Sequence, residues 1–284
     1  MQTKHLSLRR RLTNYVMTGS AGLAAALVLA PLIAIFSYLV YKGIGAINWA
    51  FLTQLPKPVG EIGGGMGNGI VGSAVILFIG SLIGVPLGVG SGIYLSEIGR
   101  NKFSQVIRFT ADVLNGVPSI VMGIAVYALV VLRQGHFSAL SGGVALGIMM
   151  VPTIARTTEE MLLMVPHSVR EAAMGLGVSQ WRTTMSITLP SAASGVITGI
   201  MLAFARVAGE TAPLLFTAFG NQYWNRNPDQ PTAALPLQIY TYAISPFDDW
   251  HRQAWAGALV LIVLIVAAVT LVRVAASRGR MASA

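Results

Sequence analysis

Long uncharged apolar stretches recur along the chain, at about residues 21–41, 69–96, 117–132, 137–155 and 254–272. A sixth, at about 187–218, is interrupted by Arg206 and Glu210. An α-helix rises 1.5 Å per residue, so about 20 residues cross the roughly 30 Å hydrocarbon core of a bilayer. Each stretch approaches or exceeds that length. The third is short unless it begins near Phe109 and takes Asp112 into the membrane. The pattern predicts an all-α membrane protein with six transmembrane helices and both termini on the same side.

Between these stretches, residues 43–68 are rich in Gly and Pro, which predicts an irregular loop. Residues 221–250 carry Pro228, Pro231, Pro236 and Pro246 among polar and aromatic residues, with no clear helical period. A connection of that length is uncommon and often functional. It is either a passive connector or a surface for an external partner.

Composition supports lipid as the solvent. Hydrophobic residues make up 54% of the 284 and charged residues only 10%, where a soluble domain carries about 25% charged. Side chains facing acyl tails need no charge, and a charge there is costly. The 31 glycines fit as well, because small residues let transmembrane helices approach closely. The absence of cysteine excludes disulfides and thiolate metal sites. A net charge of +9 in a soluble protein would suggest nucleic acid; here the placement of the charges favours lipid instead, with no nucleic-acid partner.

With cytoplasmic termini, 13 cations fall inside: Lys4, Arg9, Arg10, Arg11, Arg100, Lys102, Arg108, Arg156, Arg170, Arg182, Arg273, Arg278 and Arg280. Five fall outside (Lys42, Lys57, Arg133, Arg226, Arg252), and Arg206 lies within a span. That asymmetry sets the orientation, because Lys and Arg gather in cytoplasmic loops. Trp49, Trp224, Trp250 and Trp255 fall in or beside outer loops, as an interfacial aromatic belt requires, with Trp181 the exception. The basic start before residue 15 resembles a signal peptide, but 21–41 is long enough to span, which favours an uncleaved first helix. The expected organisation is a cytoplasmic tail at 1–15, a transmembrane domain at 16–274 and a second cytoplasmic tail at 275–284. The expected location is the bacterial plasma (inner) membrane.

The segment 165–190 between the fourth and fifth stretches carries the most information. Pro166 breaks any helix continuing from Met164. Ser168 stands three residues before Glu171, a capping-box spacing that starts a new helix, and Gly175 and Gly177 are placed to end it. Alone, these cues describe an ordinary interfacial helix. The full spacing is more specific: Glu171-Ala172-Ala173, then Gly177, then Ile187, one residue, Leu189-Pro190. It resembles the EAA motif of ATP-binding cassette (ABC) importer permeases at every position. The resemblance implies the type I importer permease (MetI-like) fold, with a cytoplasmic coupling helix at about 166–182 docked on an ATPase subunit. The chain has no GxxxxGK[ST] phosphate loop. ATP and Mg are therefore expected on the partner, and no cofactor on this chain. Arg170 and Arg182 flank the helix, either pairing with acidic ATPase residues or serving as ordinary cytoplasmic charges.

Arg206 and Glu210 stand four residues apart, expected to share a face of the fifth span. Either they neutralise each other and tie helices together, or Arg206 faces a translocation path and meets an anion while Glu210 moderates its affinity. Arg suits oxyanions because its planar fork donates parallel hydrogen bonds. Arg156, in Arg156-Thr-Thr-Glu159, is either an interfacial arginine reaching to headgroups or a second anion contact at the inner mouth. Asp112 and Asn115, before Pro118, rank below these as path-lining or capping residues.

The blocks Gly92-Ile-Tyr-Leu-Ser-Glu97, Arg156-Thr-Thr-Glu159, Arg170-Glu-Ala-Ala173 and Arg206-Val-Ala-Gly-Glu-Thr-Ala-Pro-Leu-Leu-Phe-Thr217 resemble the PstA family of phosphate-specific permeases. The resemblance runs from about residue 60 to 273. It implies a PstC-like second permease, two PstB-like ATPase subunits and an external PstS-like phosphate-binding protein, with Arg206 and Arg156 as anion contacts. The alternatives are a permease for sulfate, molybdate or phosphonate, or an ion-coupled secondary transporter. No repeat between 1–142 and 143–284 supports the latter. No hydrolase motif appears in the spans, and the four histidines are scattered.

Overall fold

The computed structural model describes residues 8–99 and 101–281, with side chains through residue 276. Lys4, Arg100, the ends of both tails and the side chains of Arg278 and Arg280 lie outside the described residues. Among the described residues the fold is helical, without a β-strand. In chain order the helices are α1 (Leu8–Gly43), α2 (Trp49–Thr53), α3 (Gly67–Glu97) and α4 (Lys102–Gly116). Next come α5 (Ser119–Gln134), α6 (Ala139–Leu163), α7 (His167–Gly175) and α8 (Gln180–Ala208). The last are α9 (Ala212–Leu215), α10 (Leu235–Ala243) and α11 (Asp248–Met281). Helices α1, α3, α6, α8 and α11 are long and apolar enough to cross a bilayer, and α4 with α5 forms a bent sixth candidate.

The centre of the bundle is the seam between α3 and α6. Gly80, Gly84, Gly88 and Gly92 repeat every four residues and so line one face of α3. A methyl group on Gly84 would lie 2.8 Å from the carbonyl oxygen of Gly147, and one on Gly88 2.6 Å from Ile154 Cβ. Gly143 and Gly147 of α6 reciprocate against Ile79, Gly80 and Ile83. In lipid no hydrophobic effect draws helices together, so close backbone approach and dispersion do that work. Helix α8 joins the same core: Ile76, Leu146, Met150, Ile154, Ala203 and Val207 pack as one cluster. A second cluster, where α2, α10 and α11 meet, gathers Phe51, Met66, Leu235, Tyr242, Ala256 and Val260.

Three departures from the sequence pattern shape the site. The apolar stretch at 117–132 forms one helix, α5, but the extension back through Phe109 and Asp112 is a separate helix, α4, which meets it at 109°. Val117 precedes Pro118 and is extended (φ −71°, ψ 131°), as the proline ring demands. The fifth span stops at Ala208, with Gly209 capping it and the short α9 following, instead of running to 218. Glu210 therefore lies beyond the helix, and the expected shared helix face with Arg206 does not exist. Lastly, 221–250 is not a featureless loop. It contains α10 and the first turn of α11, and Ser73 Oγ accepts the Leu235 amide at 2.7 Å to seat α10 on α3.

Candidate functional site

Arg206 owes its position to the α6–α8 contact. Gly195 and Gly199 of α8 abut Met161 and Thr157 of α6, a four-for-four step in opposite directions. The helices are therefore antiparallel. Arg206 comes seven residues after Gly199, two turns along nearly the same stripe and about 10 Å further out. That places it level with about residue 150, near the middle of α6. At this depth its side chain is exposed, with no ion pair or hydrogen bond among the described residues. Glu210 is half-buried and likewise makes no ion pair with it.

Non-helical backbone flanks this position. Residues 209–211 interrupt the fifth span just beyond Arg206. The break at 117–118 lies near the level of Thr153, whose hydroxyl donates to Asn115 Oδ1 at 3.2 Å. The two broken spans meet where Gly123 of α5 abuts the Pro213 backbone. Irregular backbone at membrane depth survives only when protein buries it or when it borders a water-filled space. An unpaired arginine beside it fits the second case.

Arg156 is built differently. Its Nη2 donates to both Asp112 oxygens at 2.8 Å, its Nε to Asp112 Oδ1 at 3.1 Å, and its Nη1 to Glu159 Oε2 at 3.4 Å. Arg108 Nε donates to the other Glu159 oxygen at 2.7 Å, and its Nη2 to the Leu95 and Gly99 carbonyls at 3.1 and 3.4 Å. Two guanidiniums and two carboxylates thus form a neutral cluster binding α4 to α6 and to the end of α3. Arg156 and Arg206 share no contact. One is already satisfied and the other is free.

The element expected to be cytoplasmic is the short helix α7. It starts after Pro166, which stands at the cap position, and Ser168 makes no capping bond, contrary to the spacing argument. Its end is as expected: Gly177 is left-handed (φ 82°), its amide donates to Met174 O at 2.9 Å, and Val178 N donates to Ala173 O at 3.2 Å. Those two bonds close a Schellman cap that glycine alone adopts without strain. Glu171 and Ala172 are exposed beside the bare apolar side chains of Met174, Leu176 and Trp181, whereas Ala173 is buried. Ile187 lies in a π turn (Thr184–Thr188) preceding Pro190, and Leu189 packs with Leu162, Val165 and Val196. The motif is thus divided between an open face on α7 and a clamp at the base of α8. Arg170 departs from the docking role: it points inward, 8% exposed, and pairs with Glu97 at 3.1 Å. Glu97, Arg108 and Glu159 are the partners that spacing alone did not bring out. Their signal was the presence of uncompensated charge at the ends of apolar stretches.

Residues 84–280 match the family of binding-protein-dependent transport system inner membrane components. The chain is 46% identical over 236 residues to the phosphate transport system permease protein PstA of Yersinia pestis, covering 83% of this chain and 80% of that one. It is 44% identical over 267 residues to the PstA of Xylella fastidiosa strain 9a5c, covering 93% and 92%. In fold it resembles the inward-facing MetNI methionine ABC transporter, with a TM-score of 0.55 at 20% identity over 77% of this chain and 94% of that one. An amino acid ABC transporter gives a TM-score of 0.56 at 17% identity over 75% and 92%.

Proposed function

The chain belongs to the binding-protein-dependent transport system inner membrane components and, within them, to the PstA-type phosphate permeases; from that premise we infer that it forms part of the membrane path of a phosphate ABC importer. The observation that carries this reading is identity of 44–46% to phosphate permeases over most of both chains. Sulfate, molybdate or phosphonate as cargo, and ion-coupled transport, find no comparable support. It is a multi-pass membrane protein of a multi-subunit transporter. The finer assembly is a PstC-like second permease, two PstB-like ATPases that hold ATP and Mg, and a PstS-like binding protein delivering phosphate from outside. The membrane is the bacterial plasma membrane, with both termini cytoplasmic, supported by the 13-to-5 distribution of cations.

In this reading phosphate meets Arg206 at mid-depth. A guanidinium with no internal partner, next to irregular backbone, can replace part of the water that phosphate loses on entry. Glu210 keeps the field near that cation from becoming a trap. Arg156, held by Asp112 and Glu159, offers a weaker contact on the inner side, so the anion passes from a strong site toward release. Glu171, Ala172 and the exposed Met174, Leu176 and Trp181 form the ATPase docking face, with Gly177 ending α7 and Ile187, Leu189 and Pro190 fixing its seat on α8.

The test is radiolabelled phosphate uptake into proteoliposomes holding the co-expressed complex, with binding protein and ATP on the appropriate sides. Arg206→Ala is expected to reduce uptake to background while the subunits still co-purify. Normal uptake by that variant would remove Arg206 from the path, and uptake independent of ATP would overturn the importer assignment.

A further inference from the structure

Arg170 occupies an unusual place for a cation in a cytoplasmic helix. Its side chain is 10% exposed and that of its partner Glu97 is 8% exposed. One guanidinium reaches the last residue of α3, through Glu97 Oε1 at 3.1 Å, and the end of α6, through the Leu162 carbonyl at 2.6 Å. Both contacts lie at helix C-termini, where unpaired carbonyls favour a positive charge. Helix α7 connects to α6 through residues 164–166 and to α8 through the short turn at 176–179. To α3 its bond runs through this side chain, and the same side chain ties it to the end of α6.

The joint also has slack. A polar cavity of about 480 Å³ adjoins it, lined by Glu97, Arg108, Arg170, Glu171, Gln180 and Thr183. Arg170 Nε and Thr183 Oγ1 are buried without hydrogen-bond partners, and the contact at Glu97 Oε1 has the distance of an ion pair without the angle of a hydrogen bond. A buried pair is poor value as a stabiliser, because desolvation offsets most of its attraction. Its distinctive property is direction: it ties two elements at a point, and breaking it strands a charge. Here the elements are the helix that meets the ATPase and the two spans locked together by the glycine seam.

We propose that Arg170 and Glu97 form the mechanical joint that passes displacement of the docking helix to α3, alongside the covalent paths into α6 and α8. This rests on the importer reading above. Arg170 acts as a positioning residue. A shift of α7 pulls the inner ends of α3 and α6 together, and α6 carries Arg156 and Glu159 with it. Without the joint, α7 moves α6 and α8 through the chain but has no such hold on α3, ATP is hydrolysed, and the inner mouth fails to follow.

The experiment measures ATP hydrolysis and phosphate uptake in parallel on the assembled complex in proteoliposomes. Glu97→Gln and Arg170→Lys are expected to lower phosphate moved per ATP by about fivefold or more, a usual size for a lost coupling, with ATPase co-purification unchanged. Because the chain has no cysteine, the double variant Glu97→Cys/Arg170→Cys can be bridged by a short bis-methanethiosulfonate. Bridging is expected to restore the ratio without restoring either charge. An unchanged ratio in the single variants overturns the joint. So does a loss of ATPase co-purification that accounts for the whole transport defect, or a bridged protein that stays uncoupled. A wild-type complex that hydrolyses ATP without moving phosphate counts instead against the cargo assignment, so the two failures are separately visible.

Discussion

Glu159 is a buried carboxylate, its side chain 6% exposed, shared by Arg108 and Arg156. Asp112 completes the cluster from a half-exposed position at 55%. The two acids differ in what their loss leaves behind. Glu159→Gln takes from Arg108 its carboxylate partner and from Arg156 the second of two, at a buried position, and is expected to cost about 3 kcal/mol, the scale of breaking a buried pair. Asp112→Asn removes a screened partner and is expected to cost no more than about 1 kcal/mol. Thermal unfolding of the detergent-solubilised complex ranks them, and an Asp112 loss equal to the Glu159 loss would falsify this assignment. Arg206 sits at the other extreme, a cation with no ion pair among the described residues.

Among elements, the α3–α6 seam carries the most constraint. Gly88 faces Ile154 with no room for a methyl group, while Gly90, half a turn away, has nothing within 4 Å. Gly88→Ala is expected to destabilise the protein by about 1–3 kcal/mol through forced separation of the helices. Gly90→Ala is expected to be neutral or stabilising, by up to about 1 kcal/mol, since alanine loses less backbone freedom in a helix. The same thermal measurement separates them, and equal effects would show that the seam is not tightly packed. Helix α1 is the contrast. Its outer end is fixed, with Gly43 on the Trp255 backbone and Tyr38 edge-on to the Trp255 ring at 5.3 Å, and nearly all of the rest is bare.

For the molecule as a whole, the bare α1 and the exposed Arg206 agree with the proposed assembly, in which a second permease completes the path. Its orientation is open to a direct check, since every cysteine is introduced by choice. A single Lys57→Cys variant is expected to react with an impermeant maleimide in intact cells, and Arg182→Cys only after the membrane is opened. The reverse pattern overturns the orientation taken from the positive charges.

Much of this was legible before any coordinates. Apolar runs located the spans because lipid tolerates few charges, and the spacing from Glu171 to Pro190 located α7 because proline and left-handed glycine act on their immediate neighbours. Gly80, Gly84, Gly88 and Gly92 were equally readable as a stripe, yet the helix they face could not be read from it. Hydropathy also could not show where a span breaks, since 117–118 is as apolar as its surroundings, and Glu210 at 209–211 reads equally as a charge carried within a helix. The partners of charges were the least accessible. Arg206 and Glu210 look paired at four residues' spacing, but the helix ends between them, while Arg170 finds Glu97 across 73 positions of chain. Local chemistry thus determined which segments enter the membrane and where the docking helix starts and stops. Tertiary structure alone decided which arginines are spent on neighbours and which, Arg206 among them, are not, because pairing depends on side chains brought together by packing and not by order along the chain.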